Sequence, residues 1–191
     1  MTGKYPARTK SPGPGSQLKS SEYTIAEALK DNGYSTFIAG KWHLSRGKSG
    51  SSPEEQGFDQ NYGGGDSGVP KSYFYPYNIQ TRGRGNENAP DITKLPEVEK
   101  GYHLTDQLTD LTLDWIDKNY VSKKSKKPFF IYLSHYEVHT PFEGKLDLEE
   151  KYKAKAERLY EGKNLKNPFS FESTTGETKL RQDNHIYAAM I

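Results

Sequence analysis

Two short stretches of the chain each combine a strand-like run with side chains that could bind an anion or move a proton. The first run is Tyr34–Ala39, which is aromatic and β-branched and is followed by Gly40, Lys41 and His43. A lysine ammonium is a fixed positive charge, and an imidazole can donate or accept a proton near neutral pH. If the segment past Gly40 stays extended, Lys41 and His43 point to one side while Trp42 points into the body. This spacing predicts an opening that suits an anionic substrate.

The second stretch also combines a strand-like run with basic side chains that follow it. Pro128 introduces the run Phe129–Ser134, which is apolar on both faces and therefore predicts a central parallel strand covered by helices. His135 and His139 follow it. In open α/β sheets, ligands bind outside the carboxyl ends of the strands. If the two strands are parallel, we expect His139 to lie near the lysine and histidine of the first stretch, and His135 could join them.

Helical patterns precede both strands. Thr24–Glu27 is a capping box that predicts a helix ending near Asn32. An apolar stripe predicts a second helix from about Leu104 to near Tyr120, and residues 147–160 predict a third. Helices that alternate with strands predict the α/β fold class.

The chain divides into five segments by composition, and the last one ends abruptly. We interpret 161–183 as polar loop and 186–191 as the start of an apolar helix. Because such a helix has no cap at the end of the chain, we expect the chain to be truncated there. The predicted segments are a loop over 1–23, a helix–strand unit with the Lys/His loop over 24–44, an irregular region over 45–100, a helix–strand unit with the His loop over 101–142, and a helix, loop and final helix start over 143–191.

Composition excludes several classes of function. The 27 basic and 25 acidic residues nearly balance to a net charge of +2, which is too balanced to argue for nucleic acid or a membrane as partner. No cysteine is present, so the chain has no thiolate metal site and no cysteine nucleophile. No apolar run approaches the about 20 residues of a membrane span.

Several motifs together resemble one family. Gly33–Leu44 is similar to the second signature of the sulfatases, and Met1–Arg8 resembles the end of their first signature. Gly57–Asp59, Pro128–Phe142 and Tyr187–Ile191 resemble their Gly-Phe-Asp turn, their strand and His-Thr-Pro loop, and the opening of a later helix. The resemblance implies part of an alkaline-phosphatase-like α/β/α sandwich with a largely parallel sheet, truncated at both ends.

The resemblance also implies a role for each candidate residue. Members of the family hydrolyse sulfate esters with a formylglycine nucleophile and a calcium ion, and they are commonly exported to periplasm, lysosome or outside the cell. Lys41 matches the lysine that contacts the sulfate and the formylglycine, and His43 matches the histidine that hydrogen-bonds the formylglycine hydroxyl. His139 matches the histidine that contacts the sulfate and the leaving-group oxygen. His135 is a further substrate-binding candidate, with a packing role as its alternative.

The chain also departs from the family pattern. The Cys/Ser-x-Pro-Ser-Arg nucleophile motif and the aspartates that bind calcium are absent, so we expect no metal ligands here and no turnover by this chain alone. The expected partner is a sulfate ester, with a sulfated carbohydrate as the favoured class. Two alternatives stay open: hydrolysis of phosphate or phosphonate esters on the same fold, and a non-catalytic protein that binds anionic glycans through Lys41, His43 and His139.

Residues outside these motifs have weaker interpretations. The aromatic cluster Tyr73–Tyr77 could line a sugar-binding cleft or cover the edge of the sheet. His103, beside a predicted helix start, is interpreted as a surface or capping residue. Asp59 and Asp66 lie in glycine-rich turns, where isolated aspartates usually form Asx-turns.

Overall fold

The computed structural model describes residues 1–10, 13, 16–45, 51–79, 86–163, 168–174 and 176–191. These residues form two compact units, Met1–Pro141 and Phe142–Ile191.

The first unit is built on a parallel sheet of three strands in the order β2-β1-β3. A 3₁₀ turn at Glu54–Gln56 precedes β2, and a π-helical segment at Asp117–Ser122 extends α2. The elements of this unit are α1 (Ile25–Asp31), β1 (Ser35–Gly40), β2 (Gln60–Tyr62), α2 (Leu104–Ile116) and β3 (Phe129–Ser134).

The predicted capping box begins α1. The Thr24 hydroxyl accepts from the backbone N–H of Glu27 at 3.2 Å, and the Glu27 carboxylate accepts from the Thr24 N–H at 2.8 Å. The same hydroxyl donates to the carbonyl of Gln56 at 2.7 Å. The cap therefore also ties α1 to the turn before β2.

The core of the first unit lies on both faces of β1. Ile38 belongs to a buried cluster with Trp42 and Phe58, and Trp42 is only 5% exposed. On the other face, the rings of Phe37 and Trp115 lie 4.9 Å apart, which docks α2 on the sheet. The prediction that Trp42 packs into the body is confirmed.

Two expectations about the sheet are wrong: that β3 is a central strand, and that residues 45–100 are irregular throughout. β3 pairs with β1 in parallel, as predicted, but within the described part of the chain it is an edge strand rather than a covered central one. Phe129 and Leu133 are accordingly 42% and 37% exposed. The central place belongs to β1 because β2, inside the region interpreted as irregular, pairs along its other side. β2 is short and polar, so its sequence carries no strand pattern.

The second unit pairs helices with a hairpin. α3 (Leu146–Tyr160) and α4 (His185–Met190) confirm the two helices predicted there. The interpretation of 161–183 as loop is wrong where β4 (Phe169–Glu172) pairs antiparallel with β5 (Gly176–Lys179). Across the part of the chain that the structure covers, no helix is long and apolar enough to cross a membrane.

The close approach of the β1 and β3 backbones at Gly40 generates a stability prediction. A Cβ added at Gly40 would lie 1.9 Å from the carbonyl oxygen of Ser134, and φ of Gly40 is +105°. We expect Gly40→Ala to cost at least about 3 kcal/mol in the free energy of unfolding, because strain and collision add. Urea denaturation measures the loss.

Gly33→Ala is the matched control at the other end of β1. Gly33 has φ +85° but open space around its Cβ position, so that variant carries only the strain of about 1 kcal/mol. Equal losses in the two variants would contradict the collision.

Candidate active site at the carboxyl edge of the sheet

The carboxyl ends of β1 and β3 are joined at the same level. Gly40 pairs with Ser134 in the register of the two strands. Just beyond, the Lys41 N–H donates to the Ser134 carbonyl at 2.7 Å, and the Ser134 hydroxyl donates to the Lys41 carbonyl at 2.7 Å. The parallel arrangement expected from the sequence is therefore present, and both basic stretches leave the sheet at one edge.

Lys41 and His43 leave β1 by a path that differs from the extended one expected. His43 has φ +55°, so the backbone turns there and the two side chains do not simply alternate with Trp42. Lys41 is half-buried, and burial lowers the pKa of its ammonium. Among the described residues Lys41 has no ion pair, so its charge is available to an anion.

A glycine loop over residues 63–68, directly after β2, holds the His43 side of the site. The His43 N–H donates to the Gly65 carbonyl at 3.0 Å. The imidazole lies against Gly68, where an added Cβ would be 2.4 Å from the ring carbon Cε1. Asn61 closes the loop by accepting from the Gly64 N–H and donating to the Gly64 carbonyl, each at 2.9 Å.

The glycine loop also reaches the second basic stretch. Tyr136, the residue after His135, is buried, and its hydroxyl donates to the Gly63 carbonyl at 2.8 Å. The sequence analysis missed this supporting role. A run of glycines directly after a third parallel strand is the signal that could have indicated it, but β2 itself was not recognised.

His139 is exposed on the loop after β3. Its backbone N–H donates to the Tyr136 carbonyl at 3.1 Å, and its Nδ1 lies 3.1 Å from the Thr140 hydroxyl. Because Nδ1 faces Thr140, Nε2 is the ring nitrogen that can meet a ligand.

His135 has different surroundings from His139. It is half-buried, and its Nδ1 is buried without a hydrogen-bond partner in the described ranges. Burial lowers the pKa of its imidazole, which favours the neutral form. These surroundings agree with the packing role that was the alternative to substrate binding.

Two buried side chains, Glu137 and His103, lie close together, and the sequence analysis did not predict this pair. Glu137 Oε1 lies 3.8 Å from His103 Nδ1, and both side chains are less than 10% exposed. Burial raises the pKa of the Glu137 carboxyl. His103 is the N-cap residue of α2, although its side chain makes no capping hydrogen bond within the described ranges. The interpretation of it as a surface residue is wrong, because it is buried and its ring stacks on Tyr73 with centroids 6.0 Å apart.

The described residues do not fit a calcium site. No group of three histidine, aspartate or glutamate side chains there could hold a metal ion. The carboxylate of Asp59, for which an Asx-turn was expected, pairs instead with Lys30 at 2.8 Å and accepts from the Thr36 N–H at 3.0 Å.

A family model described as Sulfatase matches residues 1–189 of the chain. The chain belongs to the sulfatase family. An arylsulfatase of Hemicentrotus pulcherrimus is 30% identical over 73% of this sulfatase chain, and the N-acetylgalactosamine-6-sulfatase of Mus musculus is 29% identical over 65% of it. The alignments cover 27% and 24% of those two proteins, so the chain spans about a quarter of their length.

Solved structures agree on the fold of this sulfatase chain. The crystal structure of Ps i-CgsB matches all of it and 39% of that chain with a TM-score of 0.56 at 23% identity. A structure from work on glycosaminoglycan metabolism in Bacteroides thetaiotaomicron covers 79% of it and 42% of that chain, with a TM-score of 0.51 at 20% identity. The mixed α/β fold with a parallel sheet, in the alkaline-phosphatase-like class, is confirmed.

The contact of the His43 ring with Gly68 generates a prediction about the site. We expect Gly68→Ala to displace the imidazole, because a methyl group would overlap it, and to move the His43 ring signals in ¹H–¹³C NMR spectra. Gly65→Ala is the control in the same loop, since an added Cβ there meets only Thr93 Oγ1 at 3.7 Å. Unchanged His43 signals in Gly68→Ala would contradict the contact.

The buried His135 generates a pH prediction. Its folded pKa lies below the ordinary value of 6.5, so the unfolded chain takes up more protons at this site as the pH falls. Between about pH 7.5 and about pH 5.5, protonation of His135 should therefore oppose folding. Over this range the free energy of unfolding should fall in the wild type relative to His135→Gln, whatever the other titrating groups contribute. Urea denaturation across this range checks it, with His185→Gln as control. Equal pH slopes in His135→Gln and the wild type would count against it.

Proposed function

We propose that this chain carries the sulfate-contacting half of a sulfuric ester hydrolase site. Lys41 and His139 bind the sulfate, and His43 moves a proton beside it. The observation that carries the proposal is the bonded pair of strand ends at Gly40 and Ser134, which sets both basic stretches at one edge of the sheet. Membership of the sulfatase family supports it.

The chemistry of the three side chains suits this reaction. Sulfate ester hydrolysis develops negative charge on the sulfate oxygens and the leaving oxygen, and fixed positive groups stabilise that charge. Lys41 supplies one such group from a half-buried position, where a charge acts through less water. In the family, a formylglycine supplies the attacking oxygen. The residues of this chain bind, orient and exchange protons.

We propose a carbohydrate sulfate as the substrate class. Two relatives are named N-acetylgalactosamine-6-sulfatase or N-acetylgalactosamine-6-O-sulfatase, from Mus musculus and Bacteroides thetaiotaomicron, at 29% and 25% identity. Export to an extracytoplasmic compartment is part of the same proposal.

We further propose that this chain alone does not turn over sulfate esters. Its 191 residues include no cysteine, and no Ser-x-Pro-Ser-Arg sequence replaces the missing motif. Turnover of an aryl sulfate that needs calcium and disappears in Lys41→Ala would overturn this part of the proposal.

Sulfate binding is the direct test. We expect inorganic sulfate to shift the ring signals of His43 and His139 in NMR titrations, and Lys41→Met to weaken binding about tenfold or more, because a charge-assisted contact is lost. Lys126→Met is the matched control, since Lys126 lies in the exposed run after α2. Equal weakening by both variants would indicate general charge screening and not a site.

Two further titrations separate the alternatives. Tighter binding of inorganic phosphate than of sulfate would favour phosphate ester hydrolysis. N-acetylgalactosamine 6-sulfate should shift the same histidine signals as sulfate, and unsulfated N-acetylgalactosamine should not.

A further inference from the structure

Tyr73 connects the region between β2 and α2 to the loop after β3 that carries His139. Its side chain is fully buried, and its hydroxyl donates to the His139 carbonyl at 3.0 Å. The bond joins residues 66 positions apart in the sequence. Because the ring is buried, Tyr73 cannot stack on a sugar, which was one interpretation of the aromatic cluster.

The backbone of Tyr73 is itself held in place. The Leu104 N–H donates to the Tyr73 carbonyl at 2.8 Å, and the Tyr75 N–H donates to the Tyr102 carbonyl at 2.9 Å. The Tyr73 ring lies nearly parallel to the ring of His103, at an interplanar angle of 17°. The segment around Tyr73 therefore runs against the start of α2.

This support is connected to the sheet. α2 carries Trp115, whose ring packs on Phe37 at the centre of β1. The Tyr73 hydroxyl thus extends from a frame that is docked on the same sheet whose strand ends carry the site. The hydrogen bond from Tyr73 therefore holds the His139 loop against elements that pack on β1, the strand that leads to Lys41.

His139 lies on an exposed loop, so few contacts hold its backbone in place. It is exposed, and two hydrogen bonds to its backbone occur in the described ranges: from its own N–H to Tyr136, and from the Tyr73 hydroxyl. The first closes a local turn, and the second ties that turn to the frame. A displacement of about 1 Å at a reacting group can cost about a hundredfold in rate.

We propose that Tyr73 is a positioning residue for His139. Its hydroxyl holds the backbone of the His139 loop so that the imidazole faces the bound sulfate. The inference rests on the proposed role of His139 in sulfate binding.

NMR of the uniformly labelled chain tests the proposal. The chain has five histidines, so the His139 ring signal can be assigned with His139→Gln. In Tyr73→Phe we expect the His139 carbonyl ¹³C signal to move and the sulfate affinity reported by the His139 ring to fall about two- to tenfold, as for a lost hydrogen bond.

Tyr77→Phe is the matched control. Tyr77 is buried in the same segment, and its hydroxyl has no hydrogen-bond partner among the described residues. We expect this variant to leave the His139 signals and the sulfate affinity unchanged. The wild-type chain provides a measurement that needs no variant: the Tyr73 hydroxyl proton should exchange slowly with water and show a nuclear Overhauser effect to the His139 loop.

The outcomes distinguish this inference from the proposed function. An unmoved His139 carbonyl signal in Tyr73→Phe, or a moved signal with unchanged sulfate affinity, overturns the positioning role. If the wild-type His139 ring does not respond to sulfate at all, the proposed function fails and the positioning role fails with it. The wild-type hydroxyl measurement then still decides whether Tyr73 orders the loop. A fast-exchanging hydroxyl proton in a folded wild-type chain also overturns the proposal.

Discussion

The contact between Gly40 and Ser134 is the constraint on which the rest of the site depends. The two backbones approach so closely that only a glycine fits on β1, and paired hydrogen bonds between Lys41 and Ser134 lock the strand ends at one level. Since both basic stretches begin at this point, their starting positions are set by backbone geometry. The loops that follow then start from one level of the sheet edge.

That support comes from the region that looks least ordered in sequence. The glycine loop after β2 contacts His43 and the residue beside His135, and Tyr73 contacts His139. All three hydrogen bonds end on backbone carbonyls far away in the sequence, so they leave no periodic pattern. An irregular segment of this kind is ordered by the residues that it contacts.

Burial gives the edge of the sheet its electrostatic character. It lowers the pKa of the Lys41 ammonium and of the His135 imidazole, and it raises the pKa of the Glu137 carboxyl. Each shift disfavours the charged form, because charge is costly away from water. A doubly charged anion at Lys41 would reverse that preference for the lysine. These directions agree with the sulfate site proposed for this edge of the sheet.

The sequence by itself determined the helices, the two strands that carry the site, and the residues Lys41, His43 and His139 as candidates. The capping box at Thr24, the apolar stripe of α2 and the histidine motifs are local patterns, and local patterns act through neighbouring residues. Only the tertiary structure decided that β1 is central and β3 an edge strand in the described sheet, that β2 and the β4–β5 hairpin exist, and that His103 and Tyr73 are buried. Each of these depends on pairing or packing between segments far apart in the chain, where one sequence pattern permits several partners and burial selects among them.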